Sequence, residues 1–213
     1  MKTTELIDML AAGDTGAPRQ AWVLRHTLAV SFGLMIGLLV VLFVLGVRDD
    51  IAEAARLPMF WVKQAFPLVL SVAAFFVILR LSRPGLRAGP AVWLALLAVG
   101  GVWLLALMEW FGAAPEQREA LLFGQTWREC LVNIPLLSLP AFLAAFLALR
   151  SLAPTRPVLA GAVAGFLAGC IGAFSYAVHC PELTAAFIGV WYLLGVLIPA
   201  GFGALLGARL LRW

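Results

Sequence analysis

Six stretches of this chain contain no Asp, Glu, Lys or Arg: Thr27–Val47, Gln64–Leu79, Pro90–Met108, Leu131–Leu149, Pro157–Val178 and Ala185–Ala208. Each has the apolar length of a helix crossing a bilayer, which needs about 20 residues; the second and shortest is extended by Phe60, Trp61 and Val62 on its flank. Uncharged runs of this length leave too few polar groups to cover a water-soluble surface. Across the 213 residues 63% are apolar and only 12% charged, against about 25% charged in ordinary soluble domains. A soluble globular domain, a nucleic-acid-binding domain and a disordered tail are excluded. The expected fold is all-α: a polytopic membrane protein with six transmembrane helices in a lipid bilayer.

Twenty-six residues precede the first stretch, which also outruns the usual apolar core of a signal peptide. It reads as an uncleaved first anchor. The expected division is a cytoplasmic N-terminal segment over 1–24 and a six-helix transmembrane domain over 25–213, with no internal repeat. Lys and Arg set the direction. With the N-terminus in the cytoplasm, ten of the 15 basic residues fall inside, and eight of the 11 acidic ones fall outside. The N-terminus and C-terminus are then both cytoplasmic. The inner connections near Arg80–Gly89 and Arg150–Arg156 are short and rich in Arg. The outer ones are longer, and Ile51–Leu57 and Pro115–Phe123 read as short helices with apolar sides. Trp61, Trp110, Phe111 and Trp127 fall at the outer boundary, as an aromatic belt does.

Gly161, Gly165 and Gly169 recur every four residues in the fifth span, flanked by Ala160, Ala164, Ala168 and Gly172. Small residues at this spacing let helix backbones approach closely in lipid. The expected use is packing within the chain, with Gly33, Gly37, Gly203 and Gly207 as counterparts; the sharper reading is a homodimer face. Pro135 and Pro140 are expected to kink the fourth span and Pro199 the sixth.

The spans lack the ionisable groups that pumps and ion-coupled transporters hold at bilayer depth. Their polar content is Asn133, a few serines, Tyr176 and Tyr192. No CxxC, P-loop, HExxH or GxSxG motif is present, so an enzyme is not expected, and no cofactor is implied. His26 and His179 fall on opposite sides of the membrane and cannot share a metal.

Three cysteines remain. Cys170 lies in mid-membrane and reads as a small buried apolar residue. Cys130 starts the fourth span and Cys180 ends the fifth, so antiparallel neighbours bring both to the outer boundary. Cys170 is ten residues from Cys180, about 15 Å along a helix, whereas a disulfide needs Cα atoms within about 7 Å. The pair that geometry allows is Cys130 with Cys180. A structural disulfide, a redox- or metal-responsive pair and two unrelated thiols are all open readings. His179 beside Cys180, and Arg128 and Glu129 beside Cys130, bear on thiol chemistry and on soft-metal binding. Pro181 is expected to stop the helix just after Cys180.

The cytoplasmic segment offers little else to a partner. Glu5–Ala12 reads as a short helix capped by Thr3 or Thr4, with Leu6, Ile7 and Leu10 on one face and Met9 widening it. So short a helix is marginal alone and needs a groove or the membrane surface to cover its apolar stripe.

Three elements resemble the NrsF-type integral-membrane anti-sigma factors. One runs from Cys130 through Asn133, Ile134 and Pro135 to Pro140. The second is Val178-His179-Cys180-Pro181-Glu182, and the third is the opening Thr4-Glu5-Leu6-Ile7-Asp8-Met9-Leu10-Ala11. The resemblance covers the whole chain. It implies a negative regulator in the bacterial inner membrane that sequesters an extracytoplasmic-function sigma factor and has no direct nucleic-acid contact. It further implies that a periplasmic oxidative or metal signal, sensed through Cys130 and Cys180 with His179 beside them, releases that partner. Leu6, Ile7 and Leu10 are the expected sigma-factor anchors, in a helix-in-groove mode. The competing classes are a membrane thiol oxidoreductase, which would need a second cysteine pair, and a small-solute transporter.

Overall fold

The computed structural model describes Thr4, Glu5 and Asp8, and residues 19–81, 89–150 and 154–211. The expected anchors Leu6, Ile7 and Leu10 lie outside the described residues. The described residues form helices and no strands. α1 is Arg19–Val40 and runs on as a π-helical turn over Val41–Leu45. α2 is Ile51–Ala54, α3 Pro58–Leu81 and α4 Ala91–Gly112. α5 is Pro115–Phe123, α6 Trp127–Arg150 and α7 Pro157–Tyr176. α8 spans Ala185–Leu210, with a π-helical stretch at Ile188–Tyr192. Six of these helices are long and apolar enough to cross a membrane, in agreement with the six charge-free stretches.

Local chemistry marks the helix ends. Pro115 and Pro157 open α5 and α7, where a missing N–H costs nothing. Arg80, Arg150 and Arg209 occupy the last turns of α3, α6 and α8, where cations favour the negative helix end. The helices are continuous through Pro67, Pro135, Pro140 and Pro199, so none of the expected kink sites ends its helix.

α7 is the hub: it packs on α8, α6, α3 and α1. Its glycines explain why. A Cβ at Gly161 would run into the Gly203 carbonyl, and one at Gly165 into the Pro199 carbonyl. A Cβ at Gly169 would lie 2.8 Å from Val196 O, and one at Gly172 2.5 Å from Ile134 O. Backbone therefore lies on backbone, and the contact enthalpy replaces the hydrophobic drive that lipid removes. Gly33 and Gly37 seat α1 in the same way, against Ala141 and Ser175. The glycine stripe is thus occupied within the chain, as the packing reading expects. α4 is the peripheral helix, touching α3 and the start of α8, and most of its side chains are exposed.

The antiparallel order collects the connections 46–57, 113–126 and 177–184 at one end. They are tied to each other. Ala185 N–H donates to Glu109 Oε2 at 2.7 Å, Thr184 Oγ1 to Leu121 O at 2.8 Å, and Trp191 Nε1 to Leu122 O at 2.6 Å. Trp127 and Trp191 pack at a tilt of 35° with ring centroids 4.7 Å apart, and Phe123 packs on both. Of the expected belt, Trp61 and Phe111 are exposed at this end, while Trp127 turns partly inward.

Candidate functional site

Cys130 sits in the first turn of α6, and Cys180 follows α7 in the connection to α8. α7 ends at Tyr176, not just past Cys180 as Pro181 suggested. Turn residues fill the gap: Ala177 N–H bonds to Ala173 O, and the His179 and Cys180 N–H groups both bond back to Tyr176 O. Pro181 therefore lies in an already non-helical segment. The two cysteines, distant in the chain, are brought together in one buried cluster with Tyr176, Tyr192 and Phe187. Both are free thiols with no exposed surface, and the Cys130 thiol is within hydrogen-bonding reach of the Cys180 sulfur. Cys170 is also free and buried, deeper along α7.

The Cys180 segment is clamped from three directions. From the first connection, Arg48 N–H reaches Val178 O at 3.4 Å, and Arg48 Nη1 reaches Cys180 O at 3.4 Å. Asp50 holds that guanidinium from the solvent side through two bonds of 2.6 and 2.7 Å. His179 Nδ1 donates to Gly46 O at 2.8 Å, which fixes the proton on that nitrogen because a carbonyl only accepts. Gly46 itself sits at φ +82°, a left-handed conformation that suits glycine.

From the connection just before α6, Gln125 N–H donates to Glu182 Oε1 at 2.7 Å, and Thr126 Oγ1 lies 3.5 Å from the same oxygen. This places a carboxylate at the positive end of the helix that carries Cys130. Gly124, at φ +51°, makes room for it: a Cβ there would lie 2.5 Å from the Glu182 carboxyl carbon. Thr126 Oγ1 is also 3.9 Å from Cys180 Sγ.

From α3, Lys63 enters the cluster. It is wholly buried, donates from Nζ to Cys180 O at 2.5 Å and to Glu182 O at 2.8 Å, and lies 5.4 Å from the Tyr192 ring centroid. Together these contacts hold the Cys180 thiol well below its ordinary pKa. The hydrogen bond from Cys130 is the largest cause; the Lys63 charge, the Tyr192 hydroxyl and the Glu182 backbone add to it against the cost of burial.

The structure thus joins Cys130 and Cys180, and sets His179 at their edge with its ring on Tyr176 at 5.6 Å. Among the described residues, no His, Cys, Asp and Glu come together in a group of three or more that could hold a metal ion. Sequence reasoning missed Lys63, Arg48 and Tyr192 as partners of the thiols. The available signal was Lys63 itself, a charge interrupting an otherwise apolar stretch that begins at Pro58.

Residues 10–213 match the family model described as NrsF, negative regulator of sigma F. The chain is 46% identical over 213 residues to the probable anti-sigma-F factor NrsF of Azospira oryzae, with both chains fully covered. It is 39% identical over 215 residues to the anti-sigma-F factor NrsF of Caulobacter vibrioides, again over the full length of each. No solved structure matches it. The chain belongs to the NrsF family of negative regulators of sigma F.

Proposed function

We propose that the protein is a multi-pass anti-sigma factor of the bacterial inner membrane, with both termini in the cytoplasm, whose Cys130–Cys180 pair senses a periplasmic oxidant. The observation that carries this reading is the pair itself: two free thiols from different helices in hydrogen-bonding contact, one held below its ordinary pKa. A thiolate beside a thiol is the arrangement that oxidises to a disulfide. The names of its relatives support a sigma factor as the partner; the resemblance in the opening residues supports the extracytoplasmic-function class. The cytoplasmic segment over 1–24 holds that partner through Leu6, Ile7 and Leu10.

What supports a redox signal over a metal is that the described His, Cys, Asp and Glu side chains form no group of three or more that could hold a metal ion. Disulfide formation takes two electrons and two protons from the pair and draws the start of α6 towards the 177–184 connection. α6 and α7 are in contact along their length, so a change at one end has a route to the other.

A strain carrying Cys130→Ser and Cys180→Ser together, with a reporter driven by the cognate sigma factor, tests this reading. Induction by peroxide is expected to fall at least tenfold, while the uninduced level stays repressed. A response equal to wild type would remove the sensor role.

A further inference from the structure

Among the described residues, Lys63 is the one Lys, Arg, Asp or Glu that is buried. It stands five residues into α3, about 8 Å from its start, and is 0% exposed. A charge so placed is costly and marks function by default. Two of its N–H bonds end on the Cys180 and Glu182 carbonyls, at 2.5 and 2.8 Å. Its charge also interacts with the Cys180 side chain, and Nζ lies 5.4 Å from the centroid of the Tyr192 ring.

We propose that Lys63 holds the Cys180 sulfur as a thiolate, making Cys180 the attacking sulfur of the pair and Cys130 the resolving one. This rests on the redox reading above. The geometry is asymmetric in the required sense: Lys63 grips the peptide of Cys180 on both sides of Pro181, whereas Cys130 lies within a helical turn and faces the pair as a donor.

With hydrogen peroxide the steps balance. The Cys180 thiolate attacks one peroxide oxygen and the O–O bond breaks. The departing hydroxide takes up the proton that the thiol had lost and leaves as water, so Cys180 becomes a sulfenic acid. The Cys130 sulfur then attacks the Cys180 sulfur and the S–O bond breaks. Hydroxide leaves with the Cys130 proton as a second water. Two electrons pass from the pair to one peroxide, and one S–S bond forms. Lys63 then faces a neutral disulfide and keeps only carbonyl dipoles, so α3 experiences the oxidation state directly.

The other charged or titratable groups around Cys180 act differently. Arg48 reaches its carbonyl but is neutralised by Asp50. Glu182 spends its carboxylate on Gln125 and Thr126, and His179 its Nδ1–H on Gly46. Tyr176 from α7 and Tyr192 from α8 flank the sulfurs with phenol hydroxyls.

The test uses the full chain in nanodiscs with Cys170→Ala. The rate of Cys130–Cys180 disulfide formation by hydrogen peroxide is followed by mass spectrometry from pH 5 to 9. Lys63→Gln retains hydrogen-bond donors but no charge; Lys63→Arg retains the charge. The midpoint of the rate profile is expected to rise by at least one unit in Lys63→Gln, slowing oxidation about tenfold at pH 6. Lys63→Arg is expected to stay within about threefold of wild type. A Lys63→Gln profile equal to wild type, or one equal to that of Lys63→Arg, would overturn the proposal.

Should Lys63→Gln fail to fold, dimedone trapping of single variants decides. Sulfenic acid is expected on Cys180 in Cys130→Ser and not on Cys130 in Cys180→Ser; the reverse pattern overturns the assignment. The redox reading fails separately, if the disulfide forms as described and the reporter strain lacking both cysteines still responds to peroxide.

Discussion

A Gly165→Leu variant is expected not to accumulate as a folded protein, whereas Gly201→Leu, on the helix facing it, is expected to accumulate like wild type. At Gly165 the first added carbon already collides with the Pro199 carbonyl, and Ala200 Cα follows at 2.9 Å. Overpacking that side chains can absorb costs about 1–3 kcal/mol. Here the obstacle is backbone, so α7 and α8 must separate, and the cost exceeds that range. Separation also disturbs the hub that seats α6 and α3. A total stability of about 5–15 kcal/mol leaves little margin for this. Gly201 has nothing within 4 Å of its added carbon, and leucine is the better helix former by about 1 kcal/mol. Fluorescence-detected size-exclusion chromatography of tagged variants reads both. A sharp wild-type peak for Gly165→Leu would mean that the two helices do not touch through backbone.

Deleting residues 1–18 is expected to abolish sigma-factor retention and to leave the reporter fully induced without any oxidant, a change of tenfold or more. α1 begins at Arg19, so the deletion ends before the first spanning helix and leaves the six-helix bundle its packing. The connections at the arginine end are short, and the segment before Arg19 is the longest stretch outside the six spanning helices at that end. The helix expected over Glu5–Ala12 is too short to be stable alone in water, which is why a partner's groove is the expected cover for its apolar face. Co-purification of the truncated protein with its sigma factor would shift the binding surface to the inner connections.

The bundle was legible because lipid imposes one rule on every span. A charge-free stretch of sufficient length reads as a helix whatever its neighbours are. The glycine repeat in the fifth span was equally legible, since period-four small residues have few uses other than close approach. Topology alone paired Cys130 with Cys180, because consecutive antiparallel spans return their ends to one face.

What surrounds the pair was less legible. Lys63 binds backbone carbonyls 117 and 119 residues away, and backbone acceptors leave no mark in a sequence. The uncharged window of the second span starts at Gln64, one residue past Lys63. Helix α3 in fact begins at Pro58 and carries Lys63 inside the bundle. The early end of α7 was hidden for a similar reason. Pro181 is the visible stop signal, but Cys180 and His179 have already turned their N–H groups back to Tyr176 O. The carboxylate of Glu182 at the start of α6 likewise depends on Gly124, whose positive φ no local pattern announces.

The proposed control of sigma-factor release by the thiol pair is checked by isolating the tagged, full-length protein from its native membrane before and after brief peroxide treatment, and identifying bound proteins by mass spectrometry. The expected result is an extracytoplasmic-function sigma factor bound before treatment and lost after it, with loss blocked in the Cys130→Ser, Cys180→Ser strain. A sigma factor absent from the untreated sample, or released equally from the strain lacking both cysteines, would contradict the claim.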